Sequence, residues 1–180
     1  MKFSSSIFLI LACTAAMAQD RPGAIAWSTE LDVVPYATGG WYGSLAGGLG
    51  TWRLRGVLAE VHPPSAFEPR GWGDGRTRAA ALLVDRFFRP GFTGPWLGSG
   101  VERWQQRLRP DGQADPVTLR TFQATLGAGW VFRMGDHLTI NPWLAAHERI
   151  AGDRQASADG RICRPNPTEG EASLKVGWAW

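Results

Sequence analysis

Cysteine is nearly absent from this chain: there are two, Cys13 and Cys163. Cys13 falls in an expected leader, and a lone Cys163 cannot close an internal disulfide. With no second Cys or His beside it, a metal site is not implied either, so no metal is expected. Long apolar runs are absent too. Nothing beyond the leader approaches the roughly 20 apolar residues that a membrane-spanning helix needs. Lys and Arg form no basic tract, and the formal net charge is +3, so no nucleic-acid partner is implied. Internal repeats, low-complexity tracts and linker-like stretches are missing, which leaves one domain. The Gly98-Ser99-Gly100 pattern lies inside an expected strand rather than opening a helix, so it is no nucleotide fingerprint. No cofactor is expected.

At the N-terminus, Lys2, the apolar run Ile7 to Cys13 and the small-residue site Ala16-Met17-Ala18 together form a secretory signal. Residues 1–18 are expected to be cleaved, leaving 19–180 as the domain. Lipoprotein processing at Leu11-Ala12-Cys13 is a weaker rival. Loss of Lys2 lowers the formal charge from +3 to +2. Tryptophan is abundant, with 10 residues, and so is glycine, with 23. Both suit a membrane barrel, where Trp lines the interfaces and Gly lets strands bend.

The last ten residues set the pattern. Leu174, Val176, Trp178 and Trp180 share one strand parity; Ser173, Lys175, Gly177 and Ala179 share the other. A strand sends alternate side chains to opposite faces, so this segment has one apolar face and one small or polar face. The same alternation recurs along the chain. Strands are expected at about 26–36, 41–49, 52–62, 76–88, 96–108, 117–134, 137–150 and 171–180. The sixth is clearest: Phe122, Ala124, Leu126, Ala128, Trp130 and Phe132 oppose Thr121, Gln123, Thr125, Gly127, Gly129 and Arg133. If both ends of the domain lie on the periplasmic side, the second, fourth and sixth links are short turns. The third, fifth and seventh are longer outer loops rich in Pro, Gly and charge. Only the first link, residues 37–40, breaks that asymmetry.

Signal peptide, even strand count, loop asymmetry and the closing Leu174-x-Val176-x-Trp178-x-Trp180 together resemble small eight-stranded outer-membrane barrels of the OmpA/OmpX type. The resemblance implies an all-β fold: an eight-stranded, antiparallel, up-and-down transmembrane β-barrel in the bacterial outer membrane. It also implies recognition of the C-terminal strand by the barrel-assembly machinery. Outer-membrane lipid and lipopolysaccharide are the other expected partners, and a monomer the expected state. No functional residues carry over from the resemblance.

The polar faces collect Glu30, Asp32, Arg53, Arg55, Asp85, Glu102, His147, Arg149 and Lys175, expected to point into the lumen as a charge network. Eight strands leave an interior that side chains just fill, so a plugged lumen is favoured over an open gate or an active site. Trp27, Trp130, Trp178 and Trp180 are expected as interface anchors. For catalysis the weak candidates are His62, Ser65 and His147, since lipid A-modifying barrels pair a His with a Ser near the outer leaflet. Sequence proximity does not establish nucleophile–base geometry. Pro35 and Pro142 conflict with a continuous ladder, so each is expected to mark a bulge, a strand end or a weakened seam, and both lie near the closure. Three functions stay open: a structural or interaction barrel, a lipid A-modifying enzyme on the same scaffold, and a soluble periplasmic lipocalin-like binding barrel. The third would carry its apolar face inward.

Overall fold

The computed structural model describes residues 25–64, 68–112, 115–158 and 160–180. The expected signal peptide lies outside these residues. Alternation of apolar and polar residues gives strands β1 (Ala26–Asp32), β2 (Trp41–Leu49), β3 (Trp52–Val61), β4 (Trp72–Phe87), β5 (Gly94–Pro110), β6 (Val117–Met134) and β7 (Leu138–Gly152). A short hairpin, β8 (Ala156–Ala158) and β9 (Arg161–Cys163), precedes β10 (Thr168–Ala179). Eight of these strands close an antiparallel ring in the order β1-β10-β7-β6-β5-β4-β3-β2. Each strand pairs with its chain neighbours, apart from the hairpin, and β10 returns to β1.

The first expected strand is corrected at its outer end. The chain leaves the ladder at Asp32 and forms a one-turn helix, α1 (Val33–Ala37). The Asp32 carboxylate caps that turn by accepting from Val34 N at 3.0 Å. Pro35 therefore sits in the first helical turn, where a missing N–H costs nothing, just past the strand end and not at a bulge. The eighth expected strand begins earlier, at Thr168, and the fourth at Trp72, with a bulge between Gly73 and Arg76. The expected seventh link is not a plain loop, since it contains the β8–β9 hairpin. Pro142 also departs from expectation. The β6–β7 ladder skips from the Gly129–Trp143 pair to Phe132–Ile140 with its register intact, so the gap there is no bulge. On its other side Pro142 stays paired, opposite Leu174. The interruption lies away from the β1–β10 closure.

The wall is uneven in height. β1 has 7 residues and β2 has 9, whereas β5 has 17 and β6 has 18. β1 pairs with β10 only from Ser28 to Asp32. Above that level Thr168–Leu174 of β10 pair with β7 alone, and Trp41–Gly43 of β2 with β3 alone. Helix α1 stands in this low section, tied to β2 by the Tyr36 hydroxyl donating to Tyr42 O at 3.3 Å.

Polarity is reversed relative to a water-soluble domain. Leu58, Leu126 and Leu144 are 59%, 66% and 66% exposed on the outside, while Arg55, Asp85 and Lys175 are 1%, 0% and 1% exposed inside. The lumen is filled at three heights. Near the end holding the short turns, Phe87, Phe92, Trp96, Val131 and Trp143 pack together. In the middle sit Tyr42, Val57, Ala59 and Leu83. Within the tall wall, Trp72, Leu108 and Leu119 pack against Cys163 of the β8–β9 hairpin. Cys163 is thus buried, and burial pushes its thiol pKa up.

Inward glycines make room for the indoles. A Cβ on Gly129 would fall 2.6 Å from Trp96 Nε1 and touch no backbone that closely. Gly129→Ala is therefore expected to destabilise the barrel by about 1–3 kcal/mol through overpacking. In a Trp96→Ala background the same change should cost little. A double-mutant cycle on denaturant midpoints checks this, and additive losses would contradict it.

Candidate functional site

The middle of the lumen is an ion-pair network that β1, β3, β4 and β10 bring together. Asp85 accepts from Arg53 Nε at 2.9 Å and from Arg55 Nε and Nη2 at 3.1 and 3.0 Å. Glu30 lies 3.5 Å from Arg53 and 3.7 Å from Arg55. It also accepts from Asn141 Nδ2 at 2.9 Å, and Asn141 in turn accepts from the Trp96 indole at 3.0 Å. Lys175 lies 3.5 Å from Asp32 and 3.4 Å from Glu171. The ladder dictates these meetings: Arg53 is registered opposite Asp85, and Asp32 opposite Lys175.

Aromatic rings wall the cations in. The Arg53 guanidinium lies 4.9 Å from the Phe87 ring centre, and that of Arg55 lies 4.9 Å from Trp96 and 5.2 Å from Trp143. Lys175 Nζ stands 5.2 Å from both Tyr42 and Trp143. Isolated buried charge is expensive, so each of these cations needs its carboxylate and its cation–π contacts at once. Arranged this way, the groups pack across the lumen from β1, β3, β4, β5, β7 and β10.

Glu102 and His147 form a second group, higher in the lumen. The Thr125 hydroxyl donates to Glu102 at 2.7 Å, and its oxygen stands 3.0 Å from His147 Nδ1. His147 Nε2 lies 3.2 Å from Glu171, and the Trp104 indole donates to Glu102 at 2.6 Å. A hydroxyl, an imidazole and a carboxylate in line is the geometry of an activated nucleophile. Here, however, the single Thr125 proton is given to Glu102. His147 Nδ1 also lies 3.3 Å from Glu102 while Nε2 faces Glu171, so the imidazole is flanked by a carboxylate on each side.

The remaining sequence candidates fall elsewhere. Arg149 is half-buried and reaches Pro165 O at 3.5 Å, outside both groups. His62 lies at the outer rim, 3.3 Å from Glu60. Ser65 lies outside the described residues. Of the four tryptophans expected at the interfaces, Trp130 and Trp178 are exposed on the outer face, and Trp130 stacks on Phe132 at 5.9 Å. Trp27 is half-buried, with its ring over Gly47. Trp180 is partly buried, and its N–H donates to Trp27 O at 2.9 Å. Trp41 and Trp52 join the outer aromatics, at 44% and 56% exposure. Sequence reading names neither Tyr42, Trp96, Trp143 nor Glu171 as lumen residues, and it puts Thr125 on a polar face without giving it a partner. Their parity with the charged positions was the available signal.

Between the network and the short-turn end lies a cavity of about 450 Å³ lined by Ser28, Glu30, Arg53, Phe92, Arg133 and Trp180 among others. Ser28 Oγ, Glu30 Oε2 and Arg53 Nη2, on three of the residues beside it, are buried without a hydrogen-bond partner. Among the described residues no His, Cys, Asp and Glu cluster could hold a metal ion.

A closed antiparallel ring of eight strands, apolar outside and charged within, defines the class: an eight-stranded β-barrel with a side-chain-filled lumen. Among solved structures, the N-terminal β-barrel domain of Pseudomonas aeruginosa OprF superposes with a TM-score of 0.58 at 13% identity. The match covers 87% of this chain and 96% of that one. No protein-family model and no curated protein matches the sequence. The likeness to OprF is one of fold.

Proposed function

We propose that this chain is an outer-membrane β-barrel with a structural or interaction role and a lumen closed by its own side chains. The reversed polarity carries the reading. An exterior of Leu54, Leu58, Leu82, Val101, Leu126 and Leu144 would cost roughly 25 cal/mol per Å² of apolar surface held in water, and hydrocarbon removes that cost. A lipocalin-like soluble barrel needs the opposite arrangement. Trp27, Trp130 and Trp178 supply the interfacial aromatics, and β10 offers its alternating face to the barrel-assembly machinery. The protein works as a monomer among lipopolysaccharide and outer-leaflet lipid. The OprF-like fold supports the same placement.

The test combines outer-membrane fractionation with heat-modifiable migration on a detergent gel. The folded chain should co-fractionate with outer membrane and shift mobility on boiling. A mature product found in the soluble periplasm would sink the proposal. Lipid A mass spectra with and without expression should be identical. A mass change abolished by His147→Ala would instead establish a lipid-modifying enzyme.

A further inference from the structure

Apart from the leader's Lys2 and the buried Lys175, every basic side chain of lysine or arginine type in the sequence is an arginine. On the outer surface these arginines are not evenly spread. The apolar outward stripe of β4 runs through Val84, Leu82 and Ala80, and the next outward residue is Arg78. On β5 it runs through Leu97, Ser99 and Val101 to Arg103. On β6 it runs through Leu126, Ala124 and Phe122 to Arg120. Three adjacent strands therefore exchange hydrocarbon-facing residues for an arginine at the first step beyond the stripe, all three exposed. Further out, one step on β4 and two on β5, Arg76 and Arg107 are also exposed, and they are registered directly opposite each other. Gln105 is registered between Arg78 and Arg120.

Like charges directly opposite on one sheet face repel, so this arrangement lowers the stability of the isolated wall. The carboxylates on hand do not balance it. Glu60 takes Arg78 at 2.7 Å and Arg76 at 3.5 Å. Among the described residues, Arg103, Arg107 and Arg120 have no carboxylate within ion-pair distance of their side chains. Asp153 instead accepts from the backbone N–H of Arg120 at 2.8 Å. Glu148, outward on β7 opposite Ala124, hydrogen-bonds Thr168. An arginine fork fits a phosphate bidentately, which an ammonium cannot do.

We propose that Arg78, Arg103 and Arg120, with Arg107 beyond them, form a docking surface for the phosphorylated headgroup of an outer-leaflet lipid. This rests on the outer-membrane reading above. The height of the patch selects lipid over free phosphate. Acyl chains lying on Ala80, Val101 and Phe122 bring their own headgroup to the next outward position, which is where the guanidinium groups stand. Anchoring of this kind orients the tall wall of β4–β6 at the membrane surface.

The experiment uses the full mature chain in phosphatidylcholine nanodiscs doped with bisphosphorylated lipid A, with lipid retention read by native mass spectrometry. The triple variant R78Q/R103Q/R120Q alters only exposed side chains. Each arginine is expected to contribute about fivefold and the three together about a hundredfold in lipid A retention. R154Q, an exposed loop arginine, should change retention less than twofold, and millimolar inorganic phosphate should not displace the lipid. Equal retention by the triple variant overturns the docking surface, as does an R154Q loss as large as that of one patch residue. Displacement by inorganic phosphate overturns the choice of a lipid ligand. A chain that never enters nanodiscs overturns the membrane reading itself, which is a separate and visible failure.

Discussion

Asp85→Ala is expected to cost the barrel about 3–5 kcal/mol, the penalty for leaving buried charge without its partner. Asp85 is 0% exposed and takes hydrogen bonds from two guanidinium groups at 2.9–3.1 Å. Removing it leaves Arg53 and Arg55 to share Glu30, which stands at 3.5 and 3.7 Å. The midpoint of urea unfolding in detergent, followed by tryptophan emission, measures the loss. Adding Arg55→Met to the Asp85→Ala chain should restore more than half of it, because one orphaned cation goes with it. Asp85→Asn should fall between wild type and Ala, since it keeps volume and one acceptor oxygen. A loss below about 1 kcal/mol for Asp85→Ala would mean that water reaches the two arginines freely.

Trp143→Ala should destabilise by about 3–5 kcal/mol and also loosen the plug. The Trp143 indole is stacked on Trp96 with centres 4.7 Å apart, and it lies beside both Arg55 and Lys175. Its removal takes a wall from both cations at once. In planar bilayers the wild-type barrel is expected to show no steady conductance steps. Trp96→Ala/Trp143→Ala should show them, because these two stacked rings pack across the lumen against Arg55 of the ion-pair network. A double variant that stays electrically silent while folded would show that the charged side chains alone seal the bore.

Much of the barrel was legible in the chain. β2 was expected at 41–49 and β6 at 117–134, and both stand there. Those segments alternate cleanly, and a period of two needs only local information. Asp32, by contrast, reads as one more inward strand residue. It does lie inside, 3.5 Å from Lys175, but its carboxylate also caps α1 and ends the strand there, a second role that alternation does not report. Trp96 and Trp143 were missed as lumen residues because an indole suits lipid as well as it suits an arginine face. The β8–β9 hairpin was missed because three-residue strands carry too little pattern to stand out.

The sequence by itself determined which side chains face together along each strand, and so that Glu30 and Asp32, or Arg53 and Arg55, share a face. The period of the extended backbone fixes this whatever the strand pairs with. Only the tertiary structure decided that Arg53 meets Asp85, that His147 lies between Thr125 and Glu171, and that the wall is low at β1 and tall at β6. Those outcomes depend on inter-strand register and ring closure, which join residues far apart in the chain and leave no local periodicity behind.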